Sequence, residues 1–315
     1  MYKSLFEKLL NEKIKYNILS LTNITIGFLF TVLLGKGFRV GSQTDIYFYS
    51  LVIINFLGTF VQAIWEGFSP NFISLKVHDH KQAVKLYSIL LNNIVIGAML
   101  VILLFDAVVA LHLFDPSEEL RNYLHIFIFY LLFQNVLYFN KTTLNLEHFY
   151  ASYYLVDLFV YSTATLYLLL FDVGSIYSIA YLMIASTTLA VLWQFYLIFG
   201  VLRYRYYFVV YERGLLEIYK NSIKYKAGTM IYGVKDMIII SFFSSLGTGY
   251  YALYSYADKF ASTVAMIVNA PIVNIFITKV NYLIAHKHYP KIGILIKGVL
   301  FQTITLFIVS SAVLY

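Results

Sequence analysis

Apolar residues run along this chain in long stretches broken only by short polar intervals. About nine stretches stand out, near 17–35, 46–70, 86–113, 122–140, 149–171, 176–201, 227–246, 249–278 and 292–314. Each is long enough to cross a bilayer as a helix, and none alternates every second residue as a barrel strand would. The pattern predicts an all-α polytopic membrane protein. Composition agrees: 60% of the 315 residues are hydrophobic and 12% charged, against about 25% charged in soluble domains.

The net charge of +7 raises nucleic acid as a partner, but the basic residues do not gather on one soluble surface. With the N-terminus cytoplasmic, they fall in the leading segment "MYKSLFEKLLNEKIKYN", around Lys76 to Lys85, at Lys141, in 203–226 and between Lys279 and Lys291. The opposite side carries Lys36, Arg39 and Arg121. The positive-inside rule therefore orients the chain with its N-terminus in, and the leading segment is expected to lie on the cytoplasmic surface as an amphipathic helix; the membrane itself is expected to be a bacterial-type inner (plasma) membrane. The bilayer is the partner that this charge serves, and nucleic acid is not one.

The longest polar interval, 203–226, divides the chain into a six-helix lobe (1–202), a basic linker (203–226) and three helices of a second lobe (227–315). Two stretches match across the linker. "GFSPNFISLKVHDHKQAVKLYSILL" and "VNAPIVNIFITKVNYLIAHKHYPKIGILI" each carry a proline, a lysine, a His-x-His and a further lysine before the next span. Duplicated lobes with a path between them are a recurring transporter plan. Two complete units need about twelve spans, so the expectation is that this chain is a fragment with an incomplete second lobe.

Candidate chemistry lies inside the spans. At about 100° per residue, Thr59, Gln62 and Glu66 fall within about 40° of Asn55 on the second span, and Asp45 lies about 80° away. An intramembrane polar stripe is expected to face a hydrated cavity, unless its acids merely sit at the two interfaces. On the seventh span Lys235 either holds an anionic substrate or is neutralised by Asp236. Asp258 and Lys259 lie inside the eighth, where Lys259 either faces the cavity or snorkels. His78 with His80 and His286 with His288 are in lysine-rich loops and read as solvated rather than metal-binding. Asn23 and Asn140 begin glycosylation-like triplets, but in or beside spans, where the match means nothing. There is no G-x-x-x-x-G-K-[ST] loop and no H-E-x-x-H, so ATP hydrolysis and zincin chemistry are excluded, and neither a cofactor nor a metal is expected. The short loops leave no soluble domain for an enzyme site. Transport would draw on ion, potential or substrate gradients.

Three motifs occur in order: "VGSQTDIYFYSLVIINF", "AIWEGFSPNFIS" and "SSLGTGYYALYSYADKF". Together they resemble the MviN/MurJ-type lipid II flippases of the multidrug/oligosaccharidyl-lipid/polysaccharide exporter superfamily, over about the first nine of that family's helices. The resemblance implies a two-lobed bundle that moves a polyprenyl-diphosphate-linked glycan by alternating access, with a coupling ion as a further partner. It implies substrate-binding roles for Asp45, Glu66 and Asp258-Lys259, beside Asn55, Gln62 and Lys235 from the reading above. The chain departs from the family pattern in three places. Its first span lacks S-R-x-x-G-x-x-R, Val61 and Gln62 stand where paired arginines do, and Lys259 replaces an arginine. A related lipid-linked glycan therefore fits as well as lipid II. A cation-coupled small-molecule exporter would need an acid in the first span, which has none, and a non-transporting envelope scaffold is the third reading.

Overall fold

The structure, a computed structural model, describes residues 2–112, 114, 116–171, 174–212, 215–263, 280, 283–284 and 289–314, with the side chains of 2–17, 302–303 and 305–314 excepted. Arg213, Lys279, Lys287, the His286/His288 pair and the stretch around Pro271 that carries the internal match lie outside the described residues.

The regular elements of the described residues are all helices: α1 (Tyr2–Phe38), α2 (Ser42–Gln62), α3 (Phe68–His78), α4 (His80–Ala110), α5 (Glu118–Phe127), α6 (Phe129–Leu146), α7 (Tyr150–Leu170), α8 (Ile176–Phe195, continued by a π turn Tyr196–Val201), α9 (Leu215–Leu246), α10 (250–263) and α11 (Tyr289–Leu314). Among the described residues seven helical segments are long and apolar enough to cross a membrane, with α5 and α6 acting as one. They coincide with the first seven expected spans, while α10 begins the eighth and α11 covers the ninth. The leading segment is continuous with the first span, so Tyr2–Phe38 is one helix.

Helix starts follow local chemistry. Asp79 accepts from the backbone N–H groups of Lys81 and Gln82 at α4, Ser117 from Leu120 at α5, and Ser175 from Tyr177 at α8, each relieving donors that have no partner in the first turn. The six spans of the first lobe pack α1 on α7, α6 on α8 and α4, and α2 between α4, α5 and α6. Their shared core is aromatic: Tyr87 stacks on Phe139 with centroids 5.3 Å apart and donates a 2.8 Å hydrogen bond to Asn140, and Phe68 and Phe72 are wholly buried beside them.

The expected linker divides in two. Residues 215–226 are the opening turns of α9, while 203–212 form an extended strap along α4. Extended backbone exposes carbonyls, and two asparagines of α4 satisfy them. Asn92 Nδ2 donates to the carbonyls of Tyr207 (3.1 Å) and Val209 (2.9 Å), and Asn93 Nδ2 to that of Val210 (2.8 Å). Lys85 pairs with Glu212 at 2.6 Å. Tyr204, 5% exposed, donates to Glu147 Oε1 at 2.6 Å, and Lys76 reaches the same oxygen at 2.8 Å. Burial and the neighbouring carboxylate push the Tyr204 phenol well above its usual range, so it remains a donor at any physiological pH. Tyr204→Phe is expected to cost about 1–2 kcal/mol, read as a lower melting point of the purified protein.

Candidate functional site

The second span is not one helix to residue 70. α2 ends at Gln62, Ala63 to Gly67 form a turn, and α3 restarts at Phe68. The 100° projection therefore holds through Gln62 and fails at Glu66, which leaves the stripe. Two features accompany the break: the Gly67 N–H is used outside the helix, donating to Ser222 Oγ of α9 at 2.8 Å, and Pro70 in the next turn has no N–H to give.

That turn forms a joint with the second lobe. Glu66 pairs with Lys226 at 3.3 Å, the lysine side chain being 9% exposed. Lys226, expected from the sequence to lie in a cytoplasmic segment, is thus tied to the end of the second span. A Cβ on Gly67 would lie 2.7 Å from Ser222 Oγ and 3.5 Å from the Ile218 carbonyl. The hydroxyl cannot retreat without giving up the hydrogen bond, so Gly67→Ala should cost about 1–3 kcal/mol. Comparing its melting point with that of a nearby change free of contacts, Gly228→Ala, checks this.

The opposite end of α2 carries a second joint. Asp45 is 4% exposed, and its two carboxylate oxygens accept from the backbone N–H groups of Gly249 (2.5 Å) and Ala252 (2.7 Å). Those donors open α10, so an acid from one lobe caps a helix of the other, where the helix dipole favours negative charge. The turn that presents them needs its glycines: Gly247 and Gly249 have φ of +120° and +89°, and a Cβ on Gly249 would sit 3.0 Å from Val40 Cγ1. Between the joints Tyr49 stacks on Tyr251 at 4.7 Å, Ser244 Oγ donates to Tyr49 at 2.8 Å, and Phe56 lies against Gly233. α2 thus lies against α9 and α10 along its whole length.

A half-open cavity of about 360 Å³ lies beside this seam, among α1, α2, α6 and α7, with α10 on one side. Asn23, Thr31, Asn55, Gln134, Asp157, Lys259 and four tyrosines (Tyr47, Tyr130, Tyr138, Tyr161) line it. Gln134 Nε2 donates to Asn55 Oδ1 at 3.3 Å. Asp157 Oδ2 accepts from Lys141 Nζ at 2.6 Å and from Asn23 Nδ2 at 3.4 Å. Lys141, its side chain 5% exposed, also sits 4.2 Å above the Tyr153 ring. It is therefore a buried member of the lobe, not the cytoplasmic loop residue that hydropathy suggested.

Of the residues singled out by sequence, the structure brings Asn55 and Lys259 to this cavity. Asp45 and Glu66 are engaged at the two joints. Gln62 and Asp258 are not among its lining residues. Lys235 lies exposed on α9, donating to Tyr232 at 3.0 Å while sitting 4.6 Å from the same ring. Asp157, Lys141 and the tyrosines were not anticipated. A signal existed: Lys141 and Asp157 lie at similar distances before and after the α6–α7 turn at 147–149, so antiparallel helices with a 1.5 Å rise bring them level.

No family model and no curated protein matches the chain. Among solved structures it is similar to a crystal structure of a MATE mutant, with a TM-score of 0.63 and 14% identity over 96% of this chain and 71% of that one. The chain is a multi-pass membrane protein with the MATE fold.

Proposed function

We propose that this protein is a membrane transporter that moves a polyprenyl-diphosphate-linked glycan by alternating access. The observation that carries the reading is the cavity beside α2, polar at membrane depth, with the Lys259 ammonium on the second-lobe side and polar groups of the first lobe facing it. Polar and ionisable groups inside a membrane are costly and mark substrate paths. An ammonium is a charge-assisted donor suited to a phosphate. The MATE fold and the three sequence motifs support the same superfamily.

The joints supply the moving parts. Each is a small set of polar contacts between the first lobe and α9 or α10, so each is able to open as a unit while the helices stay intact. Opening the Glu66–Lys226 joint exposes the cavity to one side of the membrane, and opening the Asp45–Gly249 joint exposes it to the other. The charge asymmetry of the loops makes the Glu66 end cytoplasmic. Lys235 and Asp258, on α9 and α10, serve as further contacts for the charged head group.

The test is flipping of a fluorescent polyprenyl-diphosphate glycan in proteoliposomes, with quenching from outside as the readout. Transport that falls at least about tenfold with Lys259→Ala supports the reading. No transport by the wild type, or none of the loss with Lys259→Ala and Lys235→Ala, removes it. A second reading, cation-coupled export of a small molecule, draws on Asp157 as the intramembrane acid. Lys141 already neutralises that acid, which favours the first.

A further inference from the structure

A second recess lies on another face of α7. Leu155, Phe159 and Ser162 of α7 and Leu189, Ala190 and Trp193 of α8 line a groove of about 580 Å³, whereas Asp157 and Tyr161 of α7 face the cavity beside α2. Ser162 brings the one hydroxyl to the lining. Inside a bilayer such a groove is filled by hydrocarbon. Lipid tails are about as apolar as leucine, so packing a chain there gains little over bulk lipid, and preference among lipids falls to the head group.

The groups at head-group level are cationic. Arg203 follows Trp193 by ten positions, about 15 Å along a helix with a rise of about 1.5 Å, and one leaflet of hydrocarbon is about 15 Å thick. The groove therefore lies along the tail of a lipid whose phosphate is level with Arg203, and the charge asymmetry of the loops makes this the cytoplasmic leaflet. Tyr204, buried and bonded to Glu147 at the α6–α7 turn, holds the backbone at the cytoplasmic mouth of the groove, with Arg203 and Arg205 exposed on either side of it. Among the described residues neither guanidinium has a partner, and the nearby Glu147 carboxylate is taken up by Tyr204 and Lys76. Each guanidinium is free to make the paired donation that a phosphate accepts. We propose that the α7–α8 groove, Arg203 and Arg205 form one seat for an anionic phospholipid of the cytoplasmic leaflet. This lipid is held whatever the cavity carries.

The test is retention of phosphatidylglycerol against phosphatidylcholine, added in equal amounts to the delipidated full chain in detergent and counted as bound adducts by native mass spectrometry. The wild type should retain phosphatidylglycerol about tenfold better, and Arg203→Ala combined with Arg205→Ala should remove that preference. Ser162→Phe fills the groove without removing a hydrogen bond, since the hydroxyl has no partner among the described residues. It should lower retention about threefold. Removing two exposed lysines elsewhere on the cytoplasmic side, Lys220→Ala with Lys224→Ala, should leave retention within about twofold. Equal retention of the two lipids by the wild type overturns the seat, and so does a lysine pair that matters as much as the arginine pair, because the charge is then diffuse. A folded Ser162→Phe that retains phosphatidylglycerol unchanged separates the groove from the arginines and overturns it too. Undecaprenyl phosphate that displaces phosphatidylglycerol at equal concentration gives the site to the carried lipid and overturns the phospholipid assignment.

Discussion

Lys141→Met is expected to destabilise the protein by about 3 kcal/mol, and adding Asp157→Leu to recover most of the loss. Breaking a buried ion pair costs about 3–5 kcal/mol because the surviving charge keeps its desolvation cost and loses its partner, whereas replacing both charges by apolar groups is close to neutral. The lower end applies because the Asp157 side chain is 24% exposed, so water from the cavity partly screens it. The single substitution also forfeits the contact of the ammonium with the Tyr153 ring, at 4.2 Å. Denaturation of both variants in one detergent is the check. Equal loss in the single and double variants would show that the pair is not coupled as the geometry says.

Asp45→Ala is expected to lower stability by about 2–4 kcal/mol and to part the lobes at that end. Two backbone donors, on Gly249 and Ala252, lose a charged acceptor, and charge-assisted bonds are about twice as strong as neutral ones. Asp45→Asn should be intermediate, since an amide has one acceptor oxygen and turns a donor NH₂ toward the other N–H. The chain has no cysteine, so spin labels can be placed at will. Glu118→Cys on the first lobe and Thr248→Cys on the second are both exposed, and Ser42 holds Glu119 near this end of α2 at 3.1 Å. The distance between the labels should lengthen or broaden in Asp45→Ala. An unchanged distribution with unchanged stability would mean that the cap does not hold the lobes together.

The helices were legible because hydrophobic length is a local property. The seven spans among the described residues fall where the apolar runs do. Asp45 was visible as an anomaly but not as a cap, because its partners are backbone groups more than two hundred positions along, on a turn shaped by Gly247 and Gly249. The stripe from Asn55 was projected too far: a helix projection assumes an unbroken helix, and the break at Ala63 to Gly67 goes with a bond from the Gly67 N–H to Ser222, on another helix. Lys141 was misplaced for the opposite reason. A lysine near the end of an apolar run marks a membrane boundary by hydropathy, and only the hairpin register between α6 and α7 shows that Asp157 draws it inward.

The strap along α4 has a kinetic side. Lys85 and the two asparagines tie the connector to the first lobe up to Glu212, and Leu215, which opens α9, donates its N–H to the Glu212 carbonyl at 3.2 Å. A tether that short holds the two halves at an effective concentration of about millimolar or more. Reunion after each opening is then close to an intramolecular collision. The connector keeps the halves close while the contacts at α2 are open, and those contacts set how tightly the seam closes again.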